Sequence, residues 1–269
     1  MRLRLMVMIL LILVGYNACT KSGSSEFTDT PIVESYLKPG DHPLIKISRQ
    51  IPFSSTSNMS ADDINSLSIR ITNNNNSVIL TPLGEGKYID SSMILTENER
   101  YELSFIYNSK VVSAYTDIPS KPFHFKQSAT SITIPQMNIS SWPPTTMPTT
   151  PDPVSLTWEN GDASYYIVII ENMETTLTPI RNFGDNAPPG NMFRKPPTTS
   201  PGLEIRSMEF QYYGNHRLIL YHVLPDYASL YSDNQTSSQN LTNPSTSIIN
   251  GYGIFTGLNS DTLYINVMK

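Results

Sequence analysis

Tyr101, Leu103, Phe105 and Tyr107 put a large apolar side chain at every second position of one short stretch. Side chains that alternate with period two sit on one face of an extended strand, whereas a helix would scatter them around its axis. Asn108-Ser109 follows as a turn and returns the chain into Val111 to Thr116. The same signature recurs upstream, where Leu67, Ile69 and Ile71 alternate with Ser68, Arg70 and Thr72. Ile32 to Leu37 stops at Pro39-Gly40. Leu44, Ile45 and Ile47 open a run that ends near Pro52, Asn73 to Asn76 is a turn before Val78 to Leu80, and Gly84-Glu85-Gly86 turns the chain into Tyr88. Ser60 is placed to cap a helical turn over Ala61, Asp62 and Asp63. About seven short strands at regular spacing over residues 32–120 predict a sandwich of two antiparallel sheets.

A second β region is predicted over residues 121–269, past a boundary at Ser120 to Pro122. It begins with Ser131 to Ile134, and Trp142 to Pro153 is too rich in proline to join a ladder. Val154 to Trp158 reads as a strand with Trp158 on the Val154/Leu156 face. Tyr165 to Ile170 is apolar at every position, as in a strand covered on both sides. Trp158, Tyr165 and Tyr166 are therefore expected in the core. Thr178 to Gly202 reads as a long insertion rich in Pro, Gly and Asn. Arg217 to Leu224 is strongly β, Pro225-Asp226 is placed to start a short helix through Leu230, and Asn234 to Thr246 is a polar loop. Ile248, Ile249 and Gly251 to Gly257 precede a last strand expected over Thr262 to Val267. The fold class expected is all-β, in two tandem sandwiches.

The N-terminus carries a different message. Arg2 and Arg4 precede an unbroken apolar run from Leu5 to Val14, followed by Gly15-Tyr16-Asn17-Ala18 and Cys19, the single cysteine. This is the layout of a secretory signal peptide over residues 1–18, and the run is too short to span a bilayer. The junction at Cys19 resembles a bacterial lipobox, with Tyr16 where that motif carries a large aliphatic residue. The resemblance implies that Cys19 becomes the first mature residue and carries covalent lipid on its sulfur and amino group; the alternative is a plain secreted chain with one thiol. Thr20 to Pro31 is small, polar and aperiodic, a tether that spaces the first domain from the membrane. One cysteine leaves no internal disulfide, so the fold must rest on its apolar core.

Charge narrows the function classes. The formal charge is −5 and charged residues make up 15% of the chain. With no basic cluster past the leader, nucleic-acid binding is not expected. His42, His124, His216 and His222 form no metal motif. His216 and His222 share a face of one strand but lie ~20 Å apart along it, too far to hold one ion. Asp62-Asp63 reads as a capping pair. No nucleophile elbow, zinc-protease helix, P-loop or EF-hand loop occurs, so neither a catalytic residue nor a cofactor is assigned. Fifteen tyrosines and two tryptophans are a generous supply. Trp142, Tyr227 and Tyr231, in or near loops, are the candidate ligand or interface aromatics, with Tyr212 and Tyr213 nearby. Asp261-Thr262-Leu263 matches a short acceptor pattern for O-glycosylation.

Pro31 to Leu37 with Pro39-Gly40-Asp41, then Ile47-Ser48-Arg49 and Pro52-Phe53, resemble the opening of the family called domain of unknown function 4249. Asn250 to Phe255 resembles its close. Gly86-Lys87-Tyr88, Tyr101-Glu102-Leu103, Asp117-Ile118-Pro119 and Leu156-Thr157-Trp158 with Tyr165-Tyr166 fit its middle. The resemblance implies a Bacteroidota cell-envelope lipoprotein at the outer membrane, associated with a TonB-dependent transporter. It further implies an immunoglobulin- or transthyretin-like N-terminal sandwich and a fibronectin type III-like C-terminal one, and it brings no catalytic residue. The expected role is a non-enzymatic accessory subunit acting by protein contact. The alternative is a surface glycan-binding lipoprotein that uses its exposed aromatics.

Overall fold

The computed structural model describes residues 29–50, 62–74, 76–138, 150–182, 190–233 and 246–269. Cys19, Trp142 and the capping Ser60 lie outside them. Eighteen strands and two α-helices run in order through these segments. The first are β1 (Pro31–Leu37), β2 (Leu44–Arg49), α1 (Asp62–Asn65), β3 (Arg70–Asn73), β4 (Asn76–Ile79), β5 (Thr81–Gly84), β6 (Lys87–Ile89), β7 (Arg100–Tyr107) and β8 (Lys110–Asp117). Then come β9 (Lys126–Gln127), β10 (Ser131–Thr133), β11 (Met137–Asn138), β12 (Val154–Thr157), β13 (Tyr165–Asn172), β14 (Arg181–Asn182), β15 (Met192–Arg194) and β16 (Gly202–Ile205). The last are β17 (Gly214–Val223), α2 (Pro225–Asp233) and β18 (Tyr252–Met268). The all-β class expected from the sequence is what the chain adopts.

The alternation in β7 is what it promised. Tyr101, Leu103, Phe105 and Tyr107 are buried while Arg100, Glu102 and Ile106 face out. Asn108 and Ser109 both take positive φ (47° and 61°), the backbone of a tight hairpin turn, and β8 folds back in register from Lys110 to Asp117. The sheet β4-β3-β7-β8 then faces β1, β2, β6 and β5 across one apolar cluster. Val33, Ile45, Ile47 and Tyr88 fill it from one side, and Ile71, Leu103, Phe105 and Val112 from the other. Tyr88 is fully buried, and its hydroxyl donates to Ile64 O (2.6 Å) and accepts from Leu67 N (2.9 Å), so its desolvated phenol stays satisfied.

A second cluster lies between β16-β12-β9 and the strands β15, β13, β17, β18 and β10. Val154, Leu156 and Trp158 contribute from the first sheet, and Val168, Ile170, Leu218, Leu220 and Ile265 from the second. Trp158 sits between Phe125 and Tyr166. Tyr166 is buried as expected, but Tyr165 is 36% exposed. It opens β13 on the opposite face from Tyr166, beyond the cover of either cluster, so period two removes it from the core. Thr178 to Gly202 is not a plain loop: β14 pairs with β11, β15 extends the main sheet beside β13, and Thr198 bridges to Tyr166.

One strand joins both clusters. β18 runs unbroken for 17 residues, longer than the Thr262 to Val267 strand expected from the sequence. Tyr252 to Gly257 pairs in parallel with β1, and Leu258 to Val267 pairs antiparallel with β17. Phe255 and Ile248 pack in the first cluster, Ile265 and Val267 in the second. The result is a continuous nine-stranded sheet in which β15-β13-β17-β18-β1-β2-β6-β5 are neighbours and β10 pairs with β18.

Candidate functional site

A groove of about 330 Å³ opens on the outer face of this sheet, opposite the second cluster. Its floor follows from parity. Tyr166, Val168 and Ile170 of β13 point inward, so Ile167 and Ile169 point outward. Register places Ile167 opposite Tyr221 and Ile169 opposite Ile219 of β17, and Val223 opposite Leu258 of β18. Ile167, Ile169, Val223 and Leu258 form the apolar base. The run at Tyr165 to Ile170 is thus apolar throughout because its two faces serve two different packing surfaces.

The walls are aromatic and cationic. α2 returns over the sheet and is pinned by Asp226, whose carboxylate accepts from Thr256 Oγ1 (2.9 Å) and from Tyr227 N (2.8 Å). Tyr227 then meets Tyr36 of β1 edge to face, with ring centroids 5.9 Å apart. Lys38, just beyond β1, holds its ammonium 5.9 Å from the centre of the Tyr221 ring. Arg194 stands opposite Ile169 on β15 and closes the far side. Burial raises the pKa of the Tyr36 and Tyr221 phenols, with Glu34 adding to the effect at Tyr36 and Arg194 opposing it at both. Both therefore remain protonated hydrogen-bond donors at neutral pH. The Asp226 carboxyl is also raised, chiefly by burial.

Of the candidate aromatics, Tyr227 lines this groove. Tyr231, one turn further along α2, is half-buried and is not among the groove-lining residues. Tyr212 and Tyr213 are core rather than loop aromatics, at 4% and 8% exposure, and Tyr213 donates to Ile134 O at 2.8 Å. Tyr36, Lys38, Tyr221 and Arg194 were not singled out by sequence. The outward parity of Tyr36 on a strand whose Val33, Ser35 and Leu37 face in was the available signal.

The histidines take structural places. His216 is buried beside Phe210. Its Nε2 accepts from Asn172 Nδ2 (3.2 Å), which puts the proton on Nδ1, where it donates to Gly214 O (3.0 Å). Burial lowers its pKa. His222 stacks on Tyr166, His42 meets Met93 O, and His124 pairs with Glu159. Asp62 and Asp63 fall in α1, and their side chains lie outside the described residues. Asp261 pairs with Lys121, and Thr262 is a half-buried partner of Ile219 within β18. Among the described residues no three His, Cys, Asp or Glu side chains converge as metal ligands, and no helix is long and apolar enough to cross a membrane. Comparison with family models and with curated proteins returns no match for this chain.

Proposed function

We propose that the chain is a cell-envelope lipoprotein, anchored at the outer membrane by lipid on Cys19, that works by binding as an accessory subunit of a TonB-dependent uptake system. The observation that supports binding over catalysis is the groove. It offers an apolar floor, tyrosines and two cations, but no nucleophile beside a base and no pair of carboxylates. The leader, the lipobox-like junction and the family resemblance support the address. In this reading the first cluster belongs to an immunoglobulin- or transthyretin-like sandwich over 32–120. The second belongs to a fibronectin type III-like one over 121–269, whose last strand also reaches into the first. No cofactor beyond the lipid is required.

Membrane fractionation and co-purification test it. Tagged at Lys269 and extracted in mild detergent, the chain is expected in the outer-membrane fraction together with a TonB-dependent transporter. Cys19→Ser is expected to release it into the soluble fraction. A native chain that is soluble and carries no lipid on Cys19 would sink the proposal. The second reading, surface glycan binding, is favoured by one observation, the place of Tyr227 in the groove wall. It predicts retardation on a polysaccharide affinity gel that Tyr227→Ala abolishes.

A further inference from the structure

The charge pattern of the groove narrows its occupant. The whole chain is acidic, with a formal charge of −5, yet the charged side chains lining this groove are Lys38 and Arg194, both cations. Carboxylates do occur on the same sheet face, near enough for Glu34 to act on Tyr36 and Glu171 on Tyr221, but neither lines the groove and each has its own cation: Glu171 with Arg217, and Glu34 with Lys46 at 3.9 Å. Among the described residues neither Lys38 nor Arg194 has a carboxylate within ion-pair distance. A lone surface Lys or Arg is ordinary. Two at one aromatic-walled cavity, each without an anionic partner among the described residues, are complementary to a negative ligand.

Size and floor restrict it further. About 330 Å³ sits at the low end of the ~300–1,000 Å³ typical of small-molecule sites, enough for a ring system rather than a polymer. The aliphatic floor has no hydrogen-bonding group to meet a neutral sugar's hydroxyls, whereas it suits an apolar body. The phenols of Tyr36 and Tyr221 are protonated donors at the rim and add to the acceptor preference.

We propose that this groove binds a small amphipathic organic anion, with its ring or short alkyl body on the Ile167/Ile169 floor against Tyr227 and its carboxylate or equivalent acid group at Lys38 and Arg194. This rests on the reading of the chain as a binding protein and names the ligand class of that site.

Naphthalene-2-carboxylate and naphthalene-2-carboxamide share one body and differ in charge, so they serve as the probe pair. Calorimetric titration of the full chain in an uncharged detergent is expected to give one carboxylate site per chain, about tenfold or more tighter than the carboxamide. Lys38→Gln and Arg194→Gln should each remove most of that preference, weakening the carboxylate far more than the carboxamide; Tyr227→Ala should weaken both ligands about equally. Equal affinity for the two probes, an unchanged preference in both charge variants, or binding of a neutral oligosaccharide with neither probe bound would each overturn the proposal. These surface variants should still fractionate with the membrane and retain any transporter. A failure of anion binding is therefore distinguishable from a failure of the lipoprotein reading, which shows as a soluble chain whatever its groove carries.

Discussion

The two halves of β18 solve opposite problems with one strand. From Tyr252 to Gly257 it lies parallel to β1 at close quarters, and its glycines are there because backbone stands where a side chain would go. Gly253 has φ +98°, and a Cβ built on it would lie 2.0 Å from Val33 O; at Gly257 the corresponding contact is Asp117 O at 2.3 Å. From Leu258 to Val267 the strand pairs antiparallel with β17 and is held by side chains, Leu258 on one face and Ile265 and Val267 on the other. The first half needs bare backbone at Gly253 and Gly257 as well as the buried Phe255, whereas the second is held by its side chains. A methyl added at Gly253 should therefore break the first half, while removing side-chain atoms should weaken either half.

Gly253→Ala is expected to have the largest effect. The strained φ and the collision with main-chain oxygen act together, and neither has a flexible neighbour to give way, so a loss of roughly 5 kcal/mol is expected. The control is Gly84→Ala. Gly84 has φ +88° but nothing within 4 Å of the added atom, so conformational strain alone remains, at about 1–2 kcal/mol. Urea midpoints that fall equally in the two variants would remove close approach as the reason for Gly253.

Phe255→Ala and Ile265→Ala come next and ask whether the halves are coupled. Phe255 is fully buried in the first cluster and Ile265 is 2% exposed in the second. Truncation should cost about 3–5 and about 2–5 kcal/mol respectively. The described residues of 30–50 and 62–269 belong to one compact unit, so both variants are expected to lower a single transition. In a Trp142→Phe background, Trp158 emission reports the second cluster, whereas circular dichroism reports all strands. If Phe255→Ala moves the dichroism and leaves the Trp158 midpoint in place, the two halves unfold independently and the shared strand does not couple them.

The same contrast explains what was legible in the sequence. Period-two alternation identified β7, β12 and the Leu67 to Ile71 stretch that leads into β3, because one buried face writes itself directly into every second residue. Gly253 and Gly257 pointed the wrong way: glycine reads as a turn signal, and only the proximity of β1 and β8 reveals them as strand residues. The groove was half legible. Tyr227 stood out as a loop aromatic, but Tyr36 with Lys38, Arg194 and Tyr221 come from three separated segments, and cross-strand register brings them together. Tyr165 was misplaced because an unbroken apolar run hides which of its faces ends first.

The smallest expected effect separates the halves by pH. Each half packs against a titratable group on a neighbouring element, the buried His216 opposite Ile265 and the half-buried Asp226 bound to Thr256. Burial lowers the His216 pKa below its ordinary 6.5, so the unfolded chain binds the proton more readily, and stability falls as pH drops through 6.5. Burial raises the Asp226 pKa above its ordinary 3.8, so the native chain binds that proton more readily, and stability falls as pH rises from 3.8 through the raised value. Asp226→Asn keeps an oxygen that can accept from Thr256 and the Tyr227 amide but cannot ionise. It should raise the urea midpoint at pH 7, leave it unchanged near pH 3.5, and preserve the acid-side loss that His216 causes. If Asp226→Asn is instead destabilising at pH 7, the charged carboxylate's hydrogen bonds outweigh its burial, and the pin that holds α2 beside the groove is electrostatic rather than merely geometric.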